Sequence, residues 1–320
     1  PLAFVKESLV ADTAYFENLI DKHFLQNNHR VTVVLEPDPT LGQHQEAAER
    51  DRLSTARSAM TDEDVESVIE STRKLKQIQE TPDPPEALAL IPSLSLSDLD
   101  KASRLIPLAI SDEAGCQILY HDLFTNGIVY LAVGFNLHTL PRELLAFVPL
   151  FGQALLKIGT ETEDFVKLSQ RIDRQTGGIC RSSFSSIMRE SDDGTAWLFL
   201  RSKAMVGRTD DLLDILRDIL LSVKLDNQPR FKQMVLETKA RLEGGLIPGG
   251  HGIVDTRLRA KFNEADWADE HMGGVSYLLF LRQLAEDVDN DWPSVLARLE
   301  NIRRILLNRN SMLCNVTLDE

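Results

Sequence analysis

The chain has 320 residues and carries 35 basic and 49 acidic side chains, which give a formal net charge of -14. With 43% hydrophobic residues, this length is typical of a globular protein of about two domains. The acidic charge argues against nucleic acid and anionic membranes as partners. The sequence also lacks an apolar run long enough to cross a bilayer.

The cysteines and the N-terminus bear on the cellular compartment. Cys116, Cys180 and Cys314 are too few and too scattered for a disulfide framework or a Cys-x-x-Cys metal site. Together with an N-terminus that lacks a signal peptide, this favours an intracellular compartment. Because the chain opens on Pro1 and not on Met, we expect a processed chain or an excised fragment.

The first region, residues 1–37, predicts a helix to about Leu25, an Asn-Asn turn and a β-branched strand Val31–Leu35. The end of the chain repeats this plan, with a helix, an asparagine-rich turn at Asn308–Asn310 and a strand to Leu318. The repeat indicates that residues 1–37 are the tail of one domain, and that a similar domain follows.

The second region, residues 38–104, is polar and predicts a linker made of a helical hairpin. Its two charged helices are separated near Met60, and Thr61 followed by acidic residues is a typical helix N-terminus. The second helix is expected to stop before Pro82, because proline cannot continue it. Few large apolar residues are available in this region, which favours a connector over an independent domain.

The third region, residues 105–320, predicts an α+β domain with an antiparallel sheet and helices on one face. A strand pair is expected within Ile118–Leu137, with a tight turn at Asn126-Gly127, and an apolar helix at Leu144–Lys157 closes on Gly159-Thr160. Further strands are predicted at Ile179–Met188 and Thr195–Lys203. Further helices are predicted at Glu163–Arg174, Arg208–Val223, Pro229–Glu243, Tyr277–Asp287 and Pro293–Leu307.

Several sequence segments, spread over almost the whole chain, resemble those of a known family. They are HRVTVVLEPDP, QETPDPPEALALIPSLSLSDL, HDLFTNGIVY, RQTGGI, SKAMVGRTDDL, and GGHGI followed by HMGGVSYL. In this order they resemble the presequence-protease branch of the pitrilysin/insulinase zinc metalloendopeptidases, which are inverzincins. The linker phrase and MVGRTDDL are the most specific of these.

The resemblance implies a protease of two halves, each a pair of similar α+β domains, joined by a helical hairpin. On that map the chain corresponds to the end of the second domain (1–37), the hairpin (38–104) and a non-catalytic, pitrilysin-like or processing-peptidase-like third domain (105–320). The zinc-binding first domain and the fourth domain would lie outside it. The resemblance therefore implies zinc in the parent enzyme and no cofactor in this chain.

In this family the pattern H-x-x-E-H binds zinc and activates water. Counted back from Gly159-Thr160 on the same scaffold, the corresponding positions are Leu150, Gln153 and Ala154. None of these side chains can do the zinc chemistry, so we expect neither a catalytic nor a metal site. Glu237 lies roughly where active repeats place a distal ligand, and without the histidine pair we expect an ordinary exposed carboxylate.

Other candidate residues have a structural interpretation beside the functional one. GGLIPGGHG lacks the ending of a phosphate loop, and the serines lack a nucleophile elbow. His251 and His271 are expected to make structural hydrogen bonds, and a lone strand cysteine beside Arg181 is usually inert. The remaining residues considered in this way are Cys180, Ser182, Ser183, Ser185, Ser186, Trp197, Trp267 and Trp292.

The resemblance implies a function as the non-catalytic hinge and chamber wall of a protease that degrades short unstructured peptides, such as cleaved targeting peptides. The implied partners are the remaining domains of that protease and its peptide substrates, with no nucleic acid and no membrane. The implied location is the mitochondrial matrix or chloroplast stroma in a eukaryote and the cytoplasm in a bacterium. A free-standing binding or assembly module of the same fold is the alternative, and a helix-rich scaffold unrelated to proteases is a weaker one.

Overall fold

The structure, a computed structural model, describes residues 2–102, 105–191 and 193–319. The chain divides into two compact units, Pro1–Asp100 and Lys101–Glu320. The boundary predicted at residue 104 lies outside the described residues. Among the helices that the structure describes, none is both long enough and apolar enough to cross a membrane.

The regular secondary structure in the described residues of the first unit is helical. Thr61 caps its second long helix: the Thr61 hydroxyl accepts from the Asp64 amide, and the Asp64 carboxylate accepts from the Thr61 amide. The predicted break between the two polar helices and the stop before Pro82 are confirmed. The helices are α1 Leu2–Ala11, α2 Tyr15–Ile20 continued by a π-helical turn Asp21–Leu25, α3 Leu41–Ala59, α4 Asp62–Glu80 and α5 Pro85–Leu88, followed by a 3-10 turn Leu96–Asp98.

The strand predicted at Val31–Leu35 is not formed. This described segment is irregular, and its apolar side chains are exposed, Val31 at 87% and Leu35 at 91%. A strand needs a neighbour for its backbone hydrogen bonds, and the described part of the first unit contains no strand that provides one. A run of β-branched residues is therefore not sufficient to form a strand at Val31–Leu35.

The second unit is built on one sheet. Its order is β1-β2-β6-β3-β5-β4, and every neighbouring pair is antiparallel except β2 with β6, which is parallel. The strands are β1 Ala109–Glu113, β2 Cys116–Asp122, β3 Ile128–Asn136, β4 Ile179–Ile187, β5 Gly194–Met205 and β6 Met312–Leu318.

The predicted hairpin of β2 and β3 is wrong, because β6 lies between them. Asn126 and Gly127 do adopt positive φ, 56° and 75°, as the turn signal indicates. The loop 123–127 nevertheless joins next-but-one strands, about 10 Å apart. A local turn signal does not exclude insertion of a strand from the other end of the chain.

Helices cover one face of this sheet. Along β5 the buried positions alternate with partly or fully exposed ones, and α6, α8 and α11 contact this strand. The predicted α+β class is thus confirmed, while β1, α10 and α11 were not predicted. The helices are α6 Val148–Lys157, α7 Phe165–Gln175, α8 Thr209–Leu221, α9 Gln228–Gly245, α10 Gly250–Arg259, α11 Glu264–Gly273, α12 Val275–Asn290 and α13 Trp292–Leu306.

Candidate functional site

Helix α6 carries the three positions at which the resemblance places metal-binding and catalytic residues. A 3-10 turn, Arg142–Phe147, leads into it, and Pro149 occupies its first turn, where a missing amide hydrogen costs nothing. Leu150 and Ala154 are both 0% exposed and belong to the hydrophobic core. Of the three positions, Gln153 alone is partly exposed.

Gln153 lines a cavity of about 500 Å³ that also contains Glu237. The Glu237 carboxylate accepts a hydrogen bond of 2.7 Å from Gln233 Nε2. The structure thus brings Gln153 and Glu237 to one cavity and buries Leu150 and Ala154 in the core.

These residues do not fit zinc. Structural and catalytic zinc sites use at least three nitrogen, sulfur or carboxylate ligands, whereas this cavity offers an amide, the thiol of Cys180 and one carboxylate that is already bonded. Within the described residues, no group of three or more His, Cys, Asp and Glu side chains is arranged to hold a metal ion.

Sequence reasoning did not identify Arg181, Arg241 and Tyr277 as a group. Arg181 and Arg241 line the Gln153 cavity and also an adjoining cavity of about 400 Å³, which Tyr277 lines. Burial is the main cause that lowers the pKa of Arg181. Burial raises the pKa of Tyr277, so its hydroxyl stays protonated. A glycine, Gly152, inside an apolar helix was the available sequence signal, because the Arg181 stem packs against it.

The other residues considered in the sequence analysis form no catalytic group with Arg181, Arg241 and Tyr277 among the described residues. His271 Nδ1 lies 2.9 Å from the Trp267 carbonyl oxygen, and the two rings stack at 4.0 Å. His251 is exposed on α10. Cys180 is exposed at the first cavity and Ser183 at the second. The contacts of His271 are thus structural, and Cys180 and Ser183 lie at the edges of the two cavities.

Another surface cavity, of about 880 Å³, lies between α8 and α13, and two of its arginines are paired, unlike those of the two cavities near α6. Arg303 there is paired with Glu300 at 2.8 Å, and Arg304 donates to Asn301 at 2.7 Å. These two arginines are therefore already engaged with neighbouring side chains.

The sequence of this chain matches the model of a known protein family. The family model for the region associated with peptidases of family M16, subfamily C, matches residues 35–284, which is well over half of the chain. The chain belongs to this peptidase M16 associated family. The predicted resemblance to the central, non-catalytic region of a presequence protease is confirmed.

The curated relatives of this peptidase M16 associated chain are much longer than it is. It is 43% identical over its full length to 30% of presequence protease 1, chloroplastic/mitochondrial, of Arabidopsis thaliana. It is 31% identical over 97% of its length to 31% of protein HypA of Clostridium perfringens (strain 13 / Type A). It is 26% identical over 97% of its length to 30% of presequence protease, mitochondrial, of Danio rerio. The chain thus spans about a third of the relatives it matches.

A solved structure, the inactive domain of a peptidase M16 from Pseudomonas fluorescens, is also similar. It is 14% identical, with a TM-score of 0.46, and the match covers 67% of this chain and 47% of that one.

Proposed function

We propose that this peptidase M16 associated chain is the hinge and chamber-wall portion of a zinc metalloendopeptidase that degrades short unstructured peptides, including cleaved targeting peptides. The observation that supports this most is the full-length match to 30% of a presequence protease, combined with an α6 helix whose metal positions are filled by core residues. In this proposal zinc is held by another domain, and Leu150, Gln153 and Ala154 have no catalytic role.

The proposal assigns a different role to each of three regions of the chain. Residues 1–37 would complete a preceding domain, 38–104 would be the hairpin linker, and 105–320 would be the non-catalytic domain. The exposed β-branched segment Val31–Leu35 supports a missing neighbour, because large exposed apolar surface usually contacts a partner. The proposed partners are the remaining domains of the same protease and its peptide substrates.

The proposed role is enclosure. A closed chamber admits unfolded peptides and excludes folded proteins, so a wall that does no chemistry still contributes to specificity. From the locations in the names of the Arabidopsis and Danio relatives, we propose the mitochondrial matrix or the chloroplast stroma as the compartment of a eukaryotic parent.

Intact-mass measurement on the protein from its natural source tests this proposal. We expect a polypeptide roughly three times as long as this chain, with one zinc per polypeptide, that cleaves short unstructured peptides. A native polypeptide of 36.0 kDa, the mass of this chain, would contradict the proposal and support a free-standing binding or assembly module.

A further inference from the structure

Two arginines and one tyrosine near helix α6 present hydrogen-bond donors for which the described residues provide no acceptor. The guanidinium groups of Arg181 and Arg241 and the hydroxyl of Tyr277 have no hydrogen-bonded or ion-paired partner among the residues that the structure describes. Tyr277 is only 3% exposed. Arginine has donors and no acceptor, and a protonated phenol is a donor as well. The ligand that complements such a set is an oxyanion.

The position of Arg181 is built by its neighbours. Its aliphatic stem crosses Gly152, where an added Cβ would lie 3.0 Å from Arg181 Cδ and 3.1 Å from Leu198 Cδ1. Glycine in a helix interior lowers stability relative to alanine. Gly152 therefore leaves space for the Arg181 side chain at a cost in helix stability. A half-buried cation that makes no ion pair with a described residue is also unfavourable. A bound anion would offset that cost.

The charge of the two adjoining cavities selects the kind of anion. Lys157 and Glu237 line the larger cavity, and Asp269 lines the smaller one. The two arginines and the lysine are opposed by two carboxylates, which leaves about one positive charge near neutral pH. A singly charged carboxylate balances this charge, whereas a phosphate dianion would leave an excess negative charge beside Asp269.

We propose that Arg181, Arg241 and Tyr277 form a carboxylate-binding site that holds a carboxylate of an extended peptide. Planar guanidinium groups match carboxylates with two parallel hydrogen bonds. The peptide nature of the ligand rests on the proposed function. The site lies beside the helix positions that lack metal ligands, so this domain would anchor a peptide without cleaving it.

Binding of three unstructured peptides to the 320-residue chain, measured by isothermal titration calorimetry, tests the site. One peptide has a free C-terminal carboxylate and no acidic side chain, the second is amidated and contains one Glu, and the third is amidated and has no carboxylate. We expect at least one of the first two to bind about tenfold more tightly than the third, the value of one charged hydrogen bond. The one that does identifies the source of the carboxylate.

Variants separate the site from bulk charge. Arg241→Gln, at an exposed position, is expected to abolish the preference for carboxylate, and Tyr277→Phe to reduce it while preserving the stacking on Phe280. Arg304→Gln, which changes the charge equally but at the other cavity, is expected to keep it. The unfolding temperature of Tyr277→Phe is expected not to fall, because its buried hydroxyl has no acceptor among the described residues.

Several results would overturn the site. They are equal binding of all three peptides, an undiminished preference in Arg241→Gln, an equal loss in Arg304→Gln, or tighter binding of inorganic phosphate than of either carboxylate peptide. The native mass and zinc content of the parent protein are measured separately. If the parent protein is a longer zinc peptidase but this portion shows no preference for carboxylate peptides, the carboxylate-binding site is contradicted and the proposed function is not.

Discussion

Two glycines of the second unit share a backbone φ near +100° and differ in their surroundings. Gly159, after helix α6, has φ 101°, and an added Cβ would lie 2.8 Å from the Glu163 carbonyl oxygen. Gly178, before β4, has φ 103° and nothing within 4 Å of that position. Substitution of Gly178 therefore tests backbone strain alone, and substitution of Gly159 tests strain together with steric overlap.

Gly178→Ala is expected to lower the free energy of unfolding by about 1–3 kcal/mol, the usual range for such backbone strain. Gly159→Ala is expected to cost about 1–3 kcal/mol more, because the methyl group overlaps backbone atoms that cannot move aside easily. Urea unfolding followed by circular dichroism measures both. Equal losses in the two variants would show that the Gly159 loop is more open than the structure has it.

Glu270 is a fully buried carboxylate in α11. Its Oε1 accepts from Arg257 Nη1 at 2.7 Å and from the Ser276 amide at 2.9 Å. Burial by itself raises the pKa of Glu270, but the hydrogen bonds from Ser276 and Arg257 outweigh it, so the pKa lies below its ordinary 4.5. The stabilisation from this group is therefore complete above pH 4.5 and is lost as the pH falls through the lowered pKa.

Glu270→Gln is expected to lower the free energy of unfolding by about 1–3 kcal/mol at pH 7, because a charged hydrogen-bond acceptor is lost. The difference from the unmodified chain should shrink below pH 4.5, as measured by urea unfolding at several pH values. Asp255→Asn, which removes an exposed partner 3.8 Å from Arg259, is the control and should cost less than about 1 kcal/mol. A difference that stays constant down to pH 3 would contradict the assigned pKa direction.

At this scale the sequence predicted one part of the site and missed another. Spacing along one helix is local, so the counting from Gly159-Thr160 to Leu150, Gln153 and Ala154 required no tertiary information. Arg181, Arg241 and Tyr277 lie on a strand and two separate helices. Their approach depends on the packing of β4, α9 and α12, for which the sequence carries no periodic signal.

At the scale of elements, local signals predicted helices well and strand neighbours poorly. The break at Met60 and the cap at Thr61 are properties of a few adjacent residues, and both are present. The placement of β6 beside β2 pairs residues that are 196 positions apart in the sequence, such as Gln117 and Leu313. The Gly-rich segment that forms α10 was missed because glycine is a poor helix former.

Cysteine reactivity tests the insertion of β6. The Sγ atoms of Cys116 and Cys314 lie 3.9 Å apart across β2 and β6. Burial, and secondarily the neighbouring Cys116 thiol, raise the pKa of Cys314 to about 12. The thiolate is the nucleophile, so alkylation by iodoacetamide at pH 8 should reach the exposed Cys180 first and Cys314 last.

Peptide mass spectrometry of timed samples gives the order of labelling. The urea-unfolded chain is the control, in which all three cysteines should react at similar rates. Labelling of Cys314 as fast as Cys180 in the folded chain would contradict the position of β6 between two strands.

At the scale of the whole molecule, two compact units of different character share one peptidase M16 associated chain. The second unit has a continuous hydrophobic core, while no residue of the fully described helices α3 and α4 is buried. The composition of the polar region predicted this contrast, because few apolar side chains were available to bury. The irregular Val31–Leu35 segment was not predictable, since its conformation depends on a neighbour that the first unit's described residues do not supply.

The zinc content of the purified 320-residue chain, after equilibration with zinc and removal of the excess, tests most directly whether this peptidase M16 associated portion is non-catalytic. Because Leu150 and Ala154 are core residues and Gln153 is an amide, we expect far less than one zinc per chain by elemental mass spectrometry. One tightly bound zinc per chain would contradict the account.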